Sequence, residues 1–141
     1  MTRLRLPADV AERLVDRHEE LAAISEPGPG VTRLFATPEH RRALELVAAW
    51  MQTAGLATRI DAAGNLIGRR AAHPAAGDPK VLLVGSHQDT VRQGGRYDGA
   101  MGVLLAIAAV EALAAADRRL AYDLDVVCFS DEEGTRYGTS M

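Results

Sequence analysis

Five residues hold most of the chemistry latent in this sequence: His87, Asp89, Asp98, Glu132 and Glu133. His87 and Asp89 stand two apart within Gly85-Ser86-His87-Gln88-Asp89-Thr90-Val91, and alternate side chains of an extended segment lean the same way. An imidazole that ligates a metal through one ring nitrogen ordinarily donates the N–H of the other to a carboxylate, which fixes its tautomer and raises its basicity. Asp89 is placed for that role. Asp98 comes eleven positions after His87, behind Gly94-Gly95-Arg96-Tyr97. A carboxylate there could bridge two cations, while Gly94, Gly95 and Gly99 let the backbone turn tightly beside it. Glu132 and Glu133 adjoin in Ser130-Asp131-Glu132-Glu133-Gly134. Neighbouring carboxylates at the end of an apolar strand repel unless positive charge is supplied or one is protonated, and two cations would remove that cost. A division of labour follows, in which one glutamate ligates metal and the other carries a proton from the attacking water to the leaving nitrogen.

Each residue alone has a plainer account. His87 could be a hydrogen-bonded structural histidine, Asp98 a helix N-cap, and the two glutamates a solvated loop. Together they are harder to dismiss, because two acidic clusters behind two consecutive apolar strands, one with a histidine, serve no packing purpose. Other candidates are weaker. His18 and His40 fall on expected helices and His73 in a proline-containing loop, and all three read as solvated surface. Cys128 has no histidine near it in the sequence and reads as core rather than nucleophile. The glycines of 94–99 lack the GxxxxGK pattern of a phosphate loop, Lys80 being the only lysine. Ser86 lacks the GxSxG elbow.

For these residues to meet, particular elements must position them. Residues 8–24 place Val10, Leu14, Val15, Leu21 and Ala22 at helical spacing, and Ser25-Glu26-Pro27-Gly28-Pro29-Gly30 ends that helix. Thr37-Pro38-Glu39-His40 supplies an N-cap, a proline at the first helical position and an acid in the first turn. The helix it opens should run to about Ala54 and stop at Gly55, with Leu44, Val47, Ala48 and Met51 inward. Residues 56–61 and 65–70 read as two short strands around Ala62-Ala63-Gly64, in a hairpin or near-hairpin. Residues 81–85 and 123–129 are continuous apolar runs, as expected of strands covered on both faces. Between them a nearly all-apolar, buried helix spans about 99–116. Strand, helix, strand is the right-handed crossover unit of an α/β sheet. The two charged clusters follow its strands immediately, where open α/β sheets form ligand sites.

Bulk properties exclude other classes. The 141 residues suffice for one domain with a real core, and a mean hydropathy of −0.05 argues against both a disordered tail and a membrane protein. Sixteen basic against nineteen acidic residues leave no positive excess to drive counterion release from a nucleic acid. The single cysteine cannot form an internal disulfide and fits a reducing compartment. The first ten residues lack the apolar run of a secretory signal. The longest apolar stretch, 103–116, is interrupted by Glu111 and falls short of the roughly 20 residues that cross a bilayer. A soluble, cytoplasmic protein without nucleic-acid or membrane partners is expected.

The motifs quoted above closely resemble those of the M20-type metal-dependent amidohydrolases, which include N-carbamoyl-L-amino acid hydrolase, allantoate amidohydrolase and β-ureidopropionase. Gly30-Val31-Thr32-Arg33 and Asp61-Ala62-Ala63-Gly64-Asn65-Leu66 are similar to further segments of that family, and the likeness runs over essentially the whole chain. The resemblance implies an α/β fold, part of an aminopeptidase-like catalytic domain with a mixed sheet and helices on both faces. It implies that His87 ligates one metal, Asp98 bridges two, Glu133 ligates the second, Glu132 is the general base and Asp89 orients His87. The implied cofactors are two divalent ions, zinc or manganese, which suit imidazole and carboxylate ligands. The implied reaction is attack of water on the ureido or amide carbon of a small N-carbamoyl or ureido acid. Gln88 and Val91-Arg92-Gln93-Gly94-Gly95 lean toward the allantoate enzymes. The family also admits a cis peptide after the bridging aspartate, here Asp98-Gly99, although such bonds are costly without proline.

Family members continue through further strands, two more histidine ligands and a dimer-forming lid domain. This sequence ends at Thr139-Ser140-Met141, within a matched segment. Residues 1–141 are therefore expected to be the N-terminal portion of the catalytic domain, truncated before the lid that makes the full-length protein a homodimer. The second metal site is then incomplete. The chain alone should be catalytically silent, binding metal weakly and exposing an apolar sheet edge. The alternatives are a non-catalytic binding or assembly module derived from a truncated hydrolase, or a related M20 metallopeptidase.

Overall fold

The computed structural model describes residues 7–138. Most of the stretch read for a secretory signal, and all of Thr139-Ser140-Met141, lie outside the described residues. In chain order the elements are α1 (Val10–Ala22), α2 (Pro38–Thr53), β1 (Ala57–Ile60), β2 (Leu66–Arg70), a short 3-10 turn (Pro74–Ala76), β3 (Val81–His87), α3 (Ala100–Ala115) and β4 (Asp123–Phe129). The sheet runs β1-β2-β4-β3. β1 and β2 pair antiparallel, β2 and β4 antiparallel, and β3 and β4 parallel across α3. The sheet is thus mixed, as expected.

Local chemistry accounts for the boundaries. Thr37 caps α2 by accepting the His40 amide at 3.1 Å, with Pro38 at the first helical position. Gly55, at φ +87, carries the chain out of α2 where no side chain would be comfortable. In the hairpin turn the Asp61 carboxylate accepts the amides of Ala63 at 3.0 Å and Asn65 at 2.9 Å, so one side chain closes the turn.

One hydrophobic cluster joins all three helices to one face of the sheet. Leu21 of α1, Val47 and Met51 of α2, and Leu104 and Ile107 of α3 meet Leu66, Leu124, Val126 and Cys128. Gly68 belongs to this face as well, since a Cβ there would lie 2.8 Å from Met51 Sδ. The opposite face carries Arg69, whose guanidinium grips Asp125 through two 2.7 Å bonds. Of the two faces expected to bear helices, one does so among the described residues. Where the helices meet one another, Arg17 pairs with Glu111 at 2.6 Å and stands 5.5 Å above the Trp50 ring.

Three expectations need correction. β3 is not covered on both faces: it lies at the sheet edge, with Val81 49% and Leu83 55% exposed. Hydropathy reports what a strand would tolerate, whereas burial depends on which elements flank it. α3 is buried on one side only, Leu104 and Ile107 being inaccessible while Met101 and Leu105 face outward. An all-apolar helix has no polar stripe to reveal which side that is. His18 and His40 are not solvated surface but buried, at 4% exposure each. They sit under Tyr97 and Phe35, edge to face at 4.9 and 5.1 Å, so loop residues cover them in a way helical periodicity cannot anticipate. His73 is exposed, as read. Among the described residues no helix is long and apolar enough to cross a membrane.

Leu104→Ala should cost about 2–5 kcal/mol of unfolding free energy, and Leu105→Ala less than about 1 kcal/mol. Urea denaturation monitored by circular dichroism measures both, and similar losses would show that α3 is enclosed all round.

Candidate metal centre

His87 ends β3, and its register partner Phe129 ends β4, so the loops leaving these parallel strands depart side by side. The β4 loop carries Glu132 and Glu133. Asp98 returns to the same end of the sheet immediately before α3. As a result His87, Asp98 and Glu133 each offer a ligand atom, and all three atoms lie within 4.8 Å of one another. His87 is buried, Glu133 half-buried and Asp98 exposed. Glu132 stands beside them, its Oε2 3.4 Å from His87 Nε2. Asp89 is wholly buried on the other side of the ring. His87 Nδ1 lies 3.0 Å from the Asp89 carbonyl oxygen and 3.6 Å from Oδ1. The main-chain oxygen is therefore the hydrogen-bond acceptor, and the carboxylate is a close charge. Asp89 also accepts the Glu133 amide at 3.3 Å, tying the two loops together. All five residues singled out in the sequence converge at one end of the sheet.

The distance in sequence from His87 to Asp98 is bridged by packing from α1 and from the segment that follows it. Val31 pairs with Gly94 through two main-chain bonds of 3.0 and 2.8 Å. Arg33 exchanges bonds with Thr90, its amide donating to Thr90 Oγ1 at 2.9 Å and its carbonyl accepting the Thr90 amide at 3.1 Å. Residues 31–33 thus hold the 88–98 loop at two points. α1 holds it at a third, where His18 packs against Tyr97 and Glu19 pairs with Arg96, next to Asp98. On the β4 side, Asn65 Oδ1 accepts the Ser130 amide at 2.9 Å and Ser130 Oγ donates to the Ala63 carbonyl at 2.7 Å, so the hairpin anchors the glutamate loop.

Gly99 makes the approach possible. A Cβ there would lie 2.4 Å from the His87 ring, and its φ of +62 makes the turn into α3. The cis Asp98–Gly99 peptide that the family resemblance admitted is not found, there being no cis peptide among the described residues. The left-handed conformation of Gly99 supplies the reversal without that cost.

The electrostatics reflect carboxylates crowded round one imidazole. The Asp89 side chain, opposed by burial and aided by the Asp89 carbonyl and by Glu132, raises the His87 pKa to about 9. Burial pushes Asp89 up, but His87 and the amides of Glu133 and Glu132 outweigh it and hold the carboxylate below its usual range. Burial raises Glu133, and Asp98, Glu132 and Asp89 add to the rise while His87 opposes it. An imidazole nitrogen with nearby carboxylate oxygens is a donor set for a divalent cation. The Asp89 carbonyl accepts the Nδ1–H that a metal-ligating His87 presents, and Asp89 Oδ1, buried with no hydrogen-bond partner among the described residues, places an uncompensated negative charge 3.6 Å from the same nitrogen. The residues present therefore fit a divalent ion.

Spacing and residue type gave no sign of the supporting residues. Arg33 is 2% exposed, and its segment stands out in the sequence only by family likeness. The anchoring role of Ser130 and Asn65 had no signal beyond the same kind of likeness.

Two outcomes follow for the metal-free chain. Because His87 has its pKa raised to about 9, its charged form stabilises the fold fully below the ordinary histidine value of about 6.5, and that contribution is lost as pH rises toward 9. In chelator, the thermal midpoint of His87→Asn should therefore fall less between pH 6.5 and pH 9 than that of the parent chain; equal falls would contradict the assignment. Gly99→Ala should displace the His87 ring, visible as a large shift of its imidazole NMR signals.

A family model described as peptidase family M28 matches residues 65–141. The chain is 46% identical over 132 residues to the N-carbamoyl-L-amino acid amidohydrolase of Geobacillus stearothermophilus, covering 92% of this chain and 32% of that protein. It is 39% identical over 136 residues to the allantoate deiminase of Arabidopsis thaliana, covering 95% and 26%. A hydantoinase/carbamoylase family amidase from Burkholderia ambifaria superposes with a TM-score of 0.84 at 36% identity, over 94% of this chain and 32% of that one. Aminopeptidase PepT from Bacillus cereus shares the fold, with a TM-score of 0.67 at 18% identity over 86% of this chain and 37% of that one. The chain spans a quarter to a third of the length of the curated relatives it matches. These relatives are the amidohydrolases whose motifs the sequence resembles, although the matching model bears the designation M28 rather than M20. Because that model extends over more than half of the chain, this chain belongs to peptidase family M28.

Proposed function

We propose that the protein of which this sequence forms part hydrolyses C–N bonds of small ureido or N-carbamoyl acids, allantoate or N-carbamoyl-L-amino acids, at a binuclear metal centre. The observation that carries this reading is the convergence of His87, Asp98 and Glu133, with the Glu132 carboxylate 3.4 Å from His87 Nε2. In it, residues 1–141 are the N-terminal portion of a metal-binding catalytic domain in a cytoplasmic enzyme. A lid domain elsewhere in the protein would enclose the substrate and form a homodimer.

His87 Nε2 and the carboxylates of Asp98 and Glu133 would hold the ions, zinc or manganese, with Asp98 shared between the two. Such ions polarise a carbonyl and make water nucleophilic near neutral pH. Asp89 keeps the His87 Nδ1–H directed inward, leaving Nε2 for the metal side. Glu132, 53% exposed at its side chain, is open to substrate. It accepts the proton released as the water oxygen bonds to the ureido carbon, and returns it to nitrogen as the C–N bond breaks. The names of the relatives support ureido substrates, whereas the description of the matched family supports a peptide bond as the second reading. The same residues serve either bond.

Zinc or manganese should raise the thermal midpoint of this chain. At a hundredfold excess over the dissociation constant the gain is about 2.7 kcal/mol, and it should disappear in His87→Ala. No metal-dependent shift would sink the metal centre. In a protein of the relatives' full length, Glu132→Gln should lower kcat for ammonia release by about 10²–10⁴ while metal stays bound. Cleavage of dipeptides but not of allantoate or N-carbamoyl amino acids, with metal supplied, would select the peptidase reading.

A further inference from the structure

Arg33 is a cation with no carboxylate among its hydrogen-bond partners in the described residues. It is 2% exposed, and a buried guanidinium is costly unless its donors are satisfied. Nε donates to the Gln88 carbonyl at 2.8 Å and to Gln88 Oε1 at 2.6 Å, while Nη1 donates to the Leu21 and Ile24 carbonyls at 2.9 and 2.8 Å. Every one of these acceptors is neutral.

Their positions are informative. Leu21 is in the last turn of α1 and Ile24 lies two residues past its end, where carbonyls have few helical partners and the helix dipole is negative. α1 has no basic residue of its own in its last turn, so Arg33 supplies the missing cation from outside the helix. At its other end the guanidinium holds Gln88, the residue between His87 and Asp89. The main chain of Arg33 meanwhile holds Thr90, just past Asp89. A planar fork with rigidly spaced donors suits such bridging, and a lysine ammonium at the same place does not.

We infer that Arg33 is a positioning residue of the metal centre, locking the Gln88 main chain to the end of α1 so that His87 and Asp89 are presented at a fixed separation and angle. The inference rests on the metal-centre reading above. Arg33 touches neither metal nor substrate in it; its effect passes through Gln88.

Cobalt(II) tests this directly, because its visible absorption reports both affinity and ligand geometry. Titrating the 141-residue chain and Arg33→Met, after urea denaturation has shown each to be folded, should give binding weakened about tenfold or more, as for other residues that orient a ligand, together with an altered band shape. Val47→Ala, which opens the core without touching Gln88, should lose stability yet keep its cobalt affinity within about twofold and its band unchanged. Arg33→Lys retains the charge and should fail to restore either property; it decides the matter alone if Arg33→Met does not fold. Wild-type affinity and band shape in a folded Arg33→Met, or in Arg33→Lys if the methionine variant does not fold, would overturn the inference and leave the metal centre standing. If the parent chain itself gives no chelator-sensitive cobalt spectrum, the metal centre fails and this inference falls with it.

Discussion

Mutual repulsion among carboxylates is the constraint this fold is built against. Asp89, Asp98, Glu132 and Glu133 gather about one imidazole where β3 and β4 end, and within the cluster His87 and nearby main-chain amides oppose their separation. The pKa of His87, raised to about 9, expresses this crowding, which also adds to the rise that burial imposes on Glu133. Charges so placed would drift apart on flexible loops. Here they are carried by strand ends in fixed register and by loops fastened from several directions, by residues 31–33, by α1, and by the Asp61–Asn65 turn through Ser130.

This fastening explains why the least conspicuous part of the chain matters. Residues 25–33 form no named helix or strand, yet Val31 and Arg33 hold the 88–98 loop in place and Arg33 ties it to α1. The hydrophobic cluster fixes the helices to the sheet, and the polar bonds at one end of that layer then set the positions of individual side chains. Burial supplies the stability, and hydrogen bonds supply the geometry.

Much of this was legible in the sequence, for identifiable reasons. Thr37-Pro38, Gly55 and the Asp61–Asn65 turn obey local rules that depend on few neighbours, so α2 and the hairpin form where expected. His87, Asp98 and Glu133 meet because strand-loop motifs place chemistry at strand ends whatever surrounds them. What could not be read depended on tertiary neighbours. The burial of His18 and His40 comes from Tyr97 and Phe35, remote in sequence. The exposure of Val81 and Leu83 comes from the place of β3 in the strand order. Arg33 looks like any surface arginine until the carbonyls of Leu21, Ile24 and Gln88 are brought round it.

The stack of Arg17 on Trp50 has a practical side. Trp50 is the only tryptophan, and it lies ten positions, about 15 Å of helix, from His40 at the end of α2 nearer the carboxylates. Its emission, tuned by the cation above it, watches the seam where the three helices join. Ultraviolet fluorescence will therefore follow separation of the helical layer and remain blind to rearrangements among the acidic side chains, for which a separate optical reporter is needed.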